Sequence, residues 1–416
     1  MDNPEACSIL RTMDYDCDIL IAGGGLNGPA LALGLAQTGF RVTMVDNRPE
    51  RARADSNFDG RGYALALASK RLLTAIGVWA DVAKDSQPML DIKVTDGRAG
   101  EGPSPFFLHF DHSELEEGPM GFMVEDRFLY RAFLNAVQSE PNITQINEDS
   151  VVDQEITPAG VIATLASGRT ITAKLLVGCD GRKTGVGKRA GIRRTGWEYG
   201  QTALVCAIEH TLPHNGIAHQ FFMPPGPLAI LPLPGNRSSI VWTETDNNAK
   251  AIHALSDEDY LAVLRPRFGD FLGEISLAGA RFTYPLGLTV ADRFVSERVA
   301  LVGDAAHGLH PIAGQGLNAG LRDVGALVQV LTEAKQRGED IASILVLERY
   351  EQWRRFDTQS LVATTDLTNK LFSNDNPLLR IGRDLGLGLV NQVPGLRRRF
   401  MREAAGLTGD LPNLMR

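Results

Sequence analysis

Residues 17–46 read CDILIAGGGLNGPALALGLAQTGFRVTMVD, and no other stretch limits the possible folds as tightly. DILIA is an apolar run of strand length. GLNGPALALGLAQTG has the small-residue pattern of a closely packed helix, and RVTMV is a second strand ending in Asp46. Between the first strand and the helix stand Gly23, Gly25 and Gly28, in G-x-G-x-x-G spacing. Each glycine has its own physical task. Gly23 makes a tight turn, Gly25 lets backbone N–H groups approach a pyrophosphate, and Gly28 lets the helix pack on the strand. With Leu26 and Asn27 they open the helix, whose first N–H groups are unpaired and whose dipole favours an anion. Asp46 follows Gly28 by 18 residues, where a carboxylate accepts from a ribose hydroxyl. The unit predicts one bound dinucleotide, FAD or NAD(P).

A chain of 416 residues has room for two or three domains around this unit. Its net charge of −8 comes without a basic cluster broad enough to neutralise phosphates, which argues against a nucleic-acid partner. Cys7, Cys17, Cys179 and Cys206 are scattered, without metal-ligand spacing or a redox pair, as expected of reduced thiols in a cytoplasmic protein. The acidic start MDNPEACSILRTMDYD lacks the apolar core of a signal peptide. No apolar run reaches about 18 residues, so the expectation is a protein that is at most peripheral to a membrane.

Beyond Asp46 the pattern departs from a plain nicotinamide dehydrogenase. A helix is expected from about residue 69, strands at 90–96, 105–110 and 120–124, a helix over EDRFLYRAFLNAVQSE, and a strand at 142–146. Short alternating strands follow, with a hairpin tip at Ser167-Gly168 and a buried strand LLVG running into Cys179-Asp180-Gly181. Residues 201–285 alternate strand-like runs with one helical piece near 256–268, and from about 316 the periodicity is helical. The expected fold class is α/β: a Rossmann-like nucleotide-binding domain with an inserted β-sheet substrate domain and a C-terminal helical region. Its boundaries are 1–89, 125–190 and 286–335 for the first, 90–124 and 191–285 for the second, and 336–416 for the third.

Three motifs stand in order: GGGLNG with Asp46, GCDG at 178–181, and GDAAHGLHPIAGQGLN from Gly303. Together they resemble the group A FAD-dependent aromatic hydroxylases, the fold of para-hydroxybenzoate hydroxylase. GRGYALA at 60–66, GFMVEDR at 121–127, GPLAILPLPGNRSSIVWTE at 226–244 and LERYEQWRRFD at 347–357 resemble the ubiquinone-biosynthesis branch, which acts on polyprenyl phenols. The resemblance runs from residue 17 to about 406. It implies FAD as cofactor, NAD(P)H as transient co-substrate, and O₂ activated as a C4a-hydroperoxyflavin that hydroxylates an aromatic, lipid-tailed substrate. Docking on the inner membrane or into a ubiquinone-biosynthesis complex is also implied, and PGLRRRFMREAAG is the basic amphipathic helix that fits it.

The resemblance further implies that Gly303 and Asp304 meet the ribityl and pyrophosphate region, Asp304 through a buried carboxylate. Pro311, Gly314, Gln315, Gly316, Leu317 and Asn318 then surround the flavin ring, and Arg61 and Arg127 lie near FAD. Asp180 and Gly181 face FAD and the nicotinamide. Here the chain departs from the family pattern, with Thr184 for Ser and Gly187 for Arg, leaving Arg182 or Lys188 to supply the missing cation. His307 and His310 are expected in structural or FAD-edge roles. No catalytic base is legible, although Tyr199, His219 and Tyr284 are of the right type. Three other readings stay open at this point: a soluble aromatic substrate, oxidation without oxygen insertion, and a non-catalytic flavoprotein scaffold. Ring position, tail length, preferred nicotinamide and oligomeric state are not legible.

Overall fold

The computed structural model describes residues 14–50, 58–98, 100, 102–267, 269–309, 314–372 and 390–416. Expectations that fall on Cys7, His310 and Pro311 lie outside these residues.

The apolar runs of the first motif become the centre of an eight-stranded sheet. Strands β1 (Cys17–Ala22) and β2 (Val42–Asp46) pair in parallel on either side of the helix α1 (Asn27–Ala36). Both strands are almost wholly buried, because helices cover a parallel sheet on both faces. The central order is Val299–Leu301, Thr170–Gly178, β1, β2, Ile143–Asn147, all parallel. Val295–Ser296 caps one edge. The antiparallel ladder Val151–Ile156 and Val161–Leu165 runs off Thr170–Gly178, with Gly168 at positive φ in the expected hairpin tip.

This order has a consequence for the site. The motifs GGGLNG, Asp46, GCDG and GDAAH all follow or end adjacent parallel strands, so their loops emerge side by side at the carboxyl edge of the sheet, where open α/β sheets bind ligands. Backbone bonds lock the strand ends together: Gly23 donates to Val45, Cys179 to Ala22 (2.7 Å) and Val302 to Gly178 (3.0 Å).

A second sheet has nine strands. Its path runs His307–Gly308, Phe282–Ala291, Arg194–His210, Arg237–Thr245, Gly226–Leu233, Ile217–Met223, Asp91–Arg98, Gly102–Asp111, with Ile275–Leu277 on the side. All pairs are antiparallel except Ile217–Met223 with Asp91–Arg98. The strand expected at 120–124 forms at Gly121–Glu125, in a separate three-stranded sheet with Gly62–Ala66 and Ser86–Met89. The helical piece expected near 256–268 forms as Asp257–Leu264 with a following turn at Arg265–Arg267, and a second, unexpected helix, Asp246–His253, precedes it. They cover the sheet face that carries Leu204, Cys206, Leu228, Ile230 and Trp242. The chain ends in the helices Gln315–Gln336, Ile344–Phe372 and Pro394–Ala404.

Candidate active site

The three glycines of the first motif divide their work as their spacing implies. Gly23 has φ +107°, a left-handed turn that L side chains rarely adopt, and a Cβ there would run into the Cys179 backbone. A Cβ on Gly28 would overlap the carbonyl oxygen of Gly23, so this glycine seats α1 against the turn. A Cβ on Gly25 would meet nothing within 4 Å. Asp46 is buried and accepts from the Gly24 N–H and from the Arg48 backbone at 2.9 Å, which holds its carboxylate beneath the turn. Arg48 also donates to the Gly24 carbonyl at 3.1 Å and lies over the Tyr130 ring.

GCDG supplies the next loop. The Asp180 carboxylate accepts from the N–H groups of Gly185 and Val186 at 2.8 and 3.1 Å, and Thr184 caps the following turn by accepting from Gly187 at 3.0 Å. A Cβ at Gly187 would press on Thr184 and Leu301 at 2.9 and 3.1 Å, so no longer side chain fits there as packed. Of the two cations proposed as substitutes, Arg182 lines the cavity and Lys188 does not. Arg182 pairs with Asp304 at 3.5 Å and donates to the Leu309 carbonyl at 3.1 Å. Asp304 also lines the cavity, with its side chain 46% exposed toward that space.

Beneath the GDAAH loop lies a buried network. Asp323 accepts from His307 Nε2 (2.7 Å), Gly303 N–H (2.9 Å) and Arg354 Nε (2.8 Å), and Arg354 reaches Asp357 at 2.5 Å. Burial alone would raise the Asp323 carboxyl, yet His307 and Arg354 hold it below the usual carboxylate range. His307 is therefore a structural residue that ties the loop to the helix Gln315–Gln336. From the sheet side, Arg194 donates to the carbonyls of Asp304 and Ala305 and to the Thr289 hydroxyl (2.7 Å).

The helix Gln315–Gln336 opens on Gly314, whose φ of +64° is the left-handed conformation a tight entry requires. Asn318 then acts as a clasp. Its oxygen accepts from Ala66 N–H (2.9 Å) and Ser69 hydroxyl (2.7 Å), and its nitrogen donates to Ala64 (2.9 Å) and Gly314 (3.1 Å) carbonyls. The GYALA strand is thereby fixed beside the helix start.

These loops border one cavity of about 600 Å³. Gly25, Leu26, Asn27, Gly181, Asp304 and 314–318 line one part of it, and Ile92, Val94, Phe110, Phe222, Leu231 and Val241 line another. The second sheet therefore faces the dinucleotide cradle across a single space. Of the predicted site residues, Gly23, Gly28, Asp46, Asp180 and Gly303 lie behind its wall, and Arg61 and Arg127 do not border it either. Arg61 pairs with Asp59 (2.7 Å) and Asp126 (3.4 Å), while Arg127 and Arg237 clamp the buried Glu125 at 2.7 and 2.6 Å.

None of the three side chains named as possible bases projects into the cavity. Tyr199 donates to Asp366 (3.1 Å), and Tyr284 stacks on Phe282. His219 borders the cavity, but its ring packs on Phe221 and Phe271, on the sheet face opposite to Val94 and Ala229. Sequence reasoning missed Gly62, Tyr63 and Ala64 as lining residues, although GRGYALA stood out. It also missed Arg194 and the roles of Asp323 and Arg354.

The arrangement fits an FAD. A Cβ on Gly25, Gly181 or Gly316 would meet no protein atom within 4 Å, and all three border the cavity, so the backbone is left bare where a cofactor must approach. The N-terminus of a long helix opens at the same place and favours negative charge there. Arg182 adds a cation.

A parallel-sheet dinucleotide cradle roofed by an antiparallel sheet, with one cavity between them, defines a flavoprotein of the two-sheet hydroxylase architecture. The chain belongs to the FAD binding domain family whose model spans residues 16–365. It is 44% identical to the ubiquinone hydroxylase UbiL of Rhodospirillum rubrum, an alignment covering 100% of this chain and 96% of that one. To the 3-demethoxyubiquinol 3-hydroxylase of Escherichia coli it is 36% identical, over 94% of this chain and 98% of the relative. Among solved structures it is similar to the p-nitrophenol 4-monooxygenase PnpA of Pseudomonas putida, with a TM-score of 0.78 and 18% identity, covering 94% and 98% of the two chains. That last likeness is one of fold.

Proposed function

We propose that the protein is an FAD-dependent monooxygenase that uses NAD(P)H and O₂ to hydroxylate the aromatic ring of a polyprenyl phenol in ubiquinone biosynthesis. One observation carries the reading: the cradle with its bare glycines and the apolar face of the second sheet share a single cavity. A dry aromatic chamber beside a flavin is what oxygen transfer to a ring needs, because water destroys the activated oxygen. Two relatives with matching coverage bear names of ubiquinone-pathway hydroxylases.

The chemistry FAD supplies when bound is two-electron reduction by NAD(P)H followed by activation of O₂. The protein's share is binding and enclosure. Gly25, Leu26, Asn27 and Asp46 would hold the adenosine and pyrophosphate end of FAD, and Gly181 with Asp304 its middle. Gly314 to Asn318 would enclose the ring, where the helix N–H groups favour negative charge. Gly23 and Gly28 shape the turn, Gly303 and Asp180 support the neighbouring loops, and Arg61 and Arg127 brace the strands behind Ala64. The strands within 17–46, 143–178 and 295–301 would make the FAD domain's sheet. Those within 91–111 and 194–291, with His307–Gly308, would make the substrate roof, so the expected bounds shift at 124, 191 and 285.

The lipid tail and the membrane enter through the last helix. Arg397 and Arg402 anchor Pro394–Ala404 to Glu114 and Glu117 (2.8 and 2.5 Å), which turns Val393, Leu396 and Phe400 outward beside Arg398 and Arg399. Ala404 of the same helix borders the cavity. Exposed apolar side chains with adjacent cations suit an anionic lipid surface, from which a tailed substrate enters. Among the described residues no helix is long and apolar enough to cross a membrane.

The test is turnover of FAD-loaded protein with NADH or NADPH and a short-chain 2-polyprenylphenol under ¹⁸O₂. The expected result is a product carrying one ¹⁸O, formed in proportion to the nicotinamide oxidised. Nicotinamide oxidation that the phenol accelerates without ring oxygenation would refute the reading.

A further inference from the structure

The cavity face of the roof is mostly apolar, with Gln220 at its centre and the Thr243 hydroxyl toward one end. Residues directly opposite one another in the ladders place Val94, Gln220, Ala229 and Val241 on one face, flanked along the strand by Ala218 and Phe222. All six border the cavity. Gln220 is half-buried, and among the described residues its buried side-chain nitrogen has no hydrogen-bond partner. An amide sunk unpaired in an apolar wall costs more than any aliphatic residue of the same size would. A fold has no use for such a group. A ligand in the cavity does.

We infer that Gln220 hydrogen-bonds the ring oxygen of the aromatic substrate and thereby sets which ring carbon is turned toward the flavin. This rests on the hydroxylase reading above. A carboxamide suits the task because it both donates and accepts, so it can meet a phenol O–H or a phenol lone pair. Being neutral, it adds no charge to a chamber that must stay dry. Apart from the Thr243 hydroxyl, the neighbouring residues on this face offer the ring and tail dispersion and shape, so a directional contact at the centre fixes the rotation of the ring in its plane.

The test uses FAD-loaded protein without nicotinamide, titrated calorimetrically with 2-geranylphenol and with geranylbenzene, which lacks the hydroxyl. Gln220→Leu is expected to weaken the phenol about tenfold, the equivalent of one buried hydrogen bond, and to leave geranylbenzene unchanged. Its melting temperature without ligand should equal or exceed that of the wild type, because the unpaired amide is gone. Equal losses for both probes, no loss for either, or a melting temperature lowered by several degrees would overturn the inference while leaving the hydroxylase reading intact. Failure of the FAD-loaded wild type to bind either probe would reject the substrate class, and the role of Gln220 with it.

Discussion

Two alanines placed three residues apart should have opposite effects, and the contrast tests the cradle directly. At Gly28 an added Cβ overlaps a backbone carbonyl, that of Gly23, so the helix must back away from the strand it packs on. Overpacking of this kind costs about 1–3 kcal/mol, and backbone yields less readily than a side chain. Gly28→Ala should therefore lower the melting temperature of the apoprotein by several degrees. At Gly25 the added Cβ meets nothing, and φ lies outside the left-handed region. Gly25→Ala should leave the apoprotein as stable as the wild type, or more stable by about 0.4–1 kcal/mol through the less flexible unfolded chain. The methyl does fill the space through which a pyrophosphate reaches the backbone. Losing one charge-assisted bond there, about 1.5–3 kcal/mol, weakens FAD roughly ten- to a hundredfold. The assays are thermal melts of both apoproteins and FAD titrations followed by flavin fluorescence. Unaltered FAD affinity in Gly25→Ala would refute the cradle, and an unaltered melt in Gly28→Ala would refute the packing argument.

Three further outcomes are expected. Asp323→Ala leaves Arg354 buried without its main partner and frees the GDAAH loop; a loss of about 3–5 kcal/mol in denaturant unfolding is expected, and a change under 1 kcal/mol would contradict the network. Because the Asp323 carboxyl is held below its ordinary value of 3.8, its contribution is fully present above that pH and is lost as pH falls through the lowered value, so wild type and Asp323→Ala should converge in stability only below about pH 3.8. His219 is pushed by burial down to about 4 from 6.5, so the unfolded chain takes up a proton first as pH drops. Stability should fall between pH 6.5 and 4 by about 3 kcal/mol more in the wild type than in His219→Phe, as measured by urea unfolding, and parallel pH profiles would contradict this. Asp304→Asn breaks a half-exposed pair and should change apoprotein stability by less than about 1 kcal/mol while clearly lowering FAD occupancy; full occupancy would remove that carboxylate from the cofactor site.

The local elements were readable where side-chain period and backbone chemistry agree. DILIA, RVTMV and LLVG are buried strands because helices cover both faces of a parallel sheet, and such strands carry continuous apolar runs. The turn at Ser167-Gly168 and the helix opening after Gly314 follow from residues that tolerate positive φ. Cys17 and Cys206 are buried and Cys179 is half-buried, with Cys206 pushed up to about 12 by burial. The separate small sheet was not readable, because GYALA and GFMVE pair across a separation of more than fifty residues that no local pattern encodes.

What the sequence alone determined is the cradle: strand, glycine turn, helix and acidic residue lie within thirty residues, and their geometry is set by local steric rules. The order of the later motifs likewise pointed to the family. What only the tertiary structure decided is which side chains meet across long separations. Asn318 clasps Ala64 and Ala66, Asp323 gathers His307, Gly303 and Arg354, and His219 turns away from the cavity while Gln220 turns toward it. The reason is physical. A strand alternates its faces with a period of two, so the sequence offers both faces equally, and only sheet pairing and the layers packed on each side decide which one looks at the flavin.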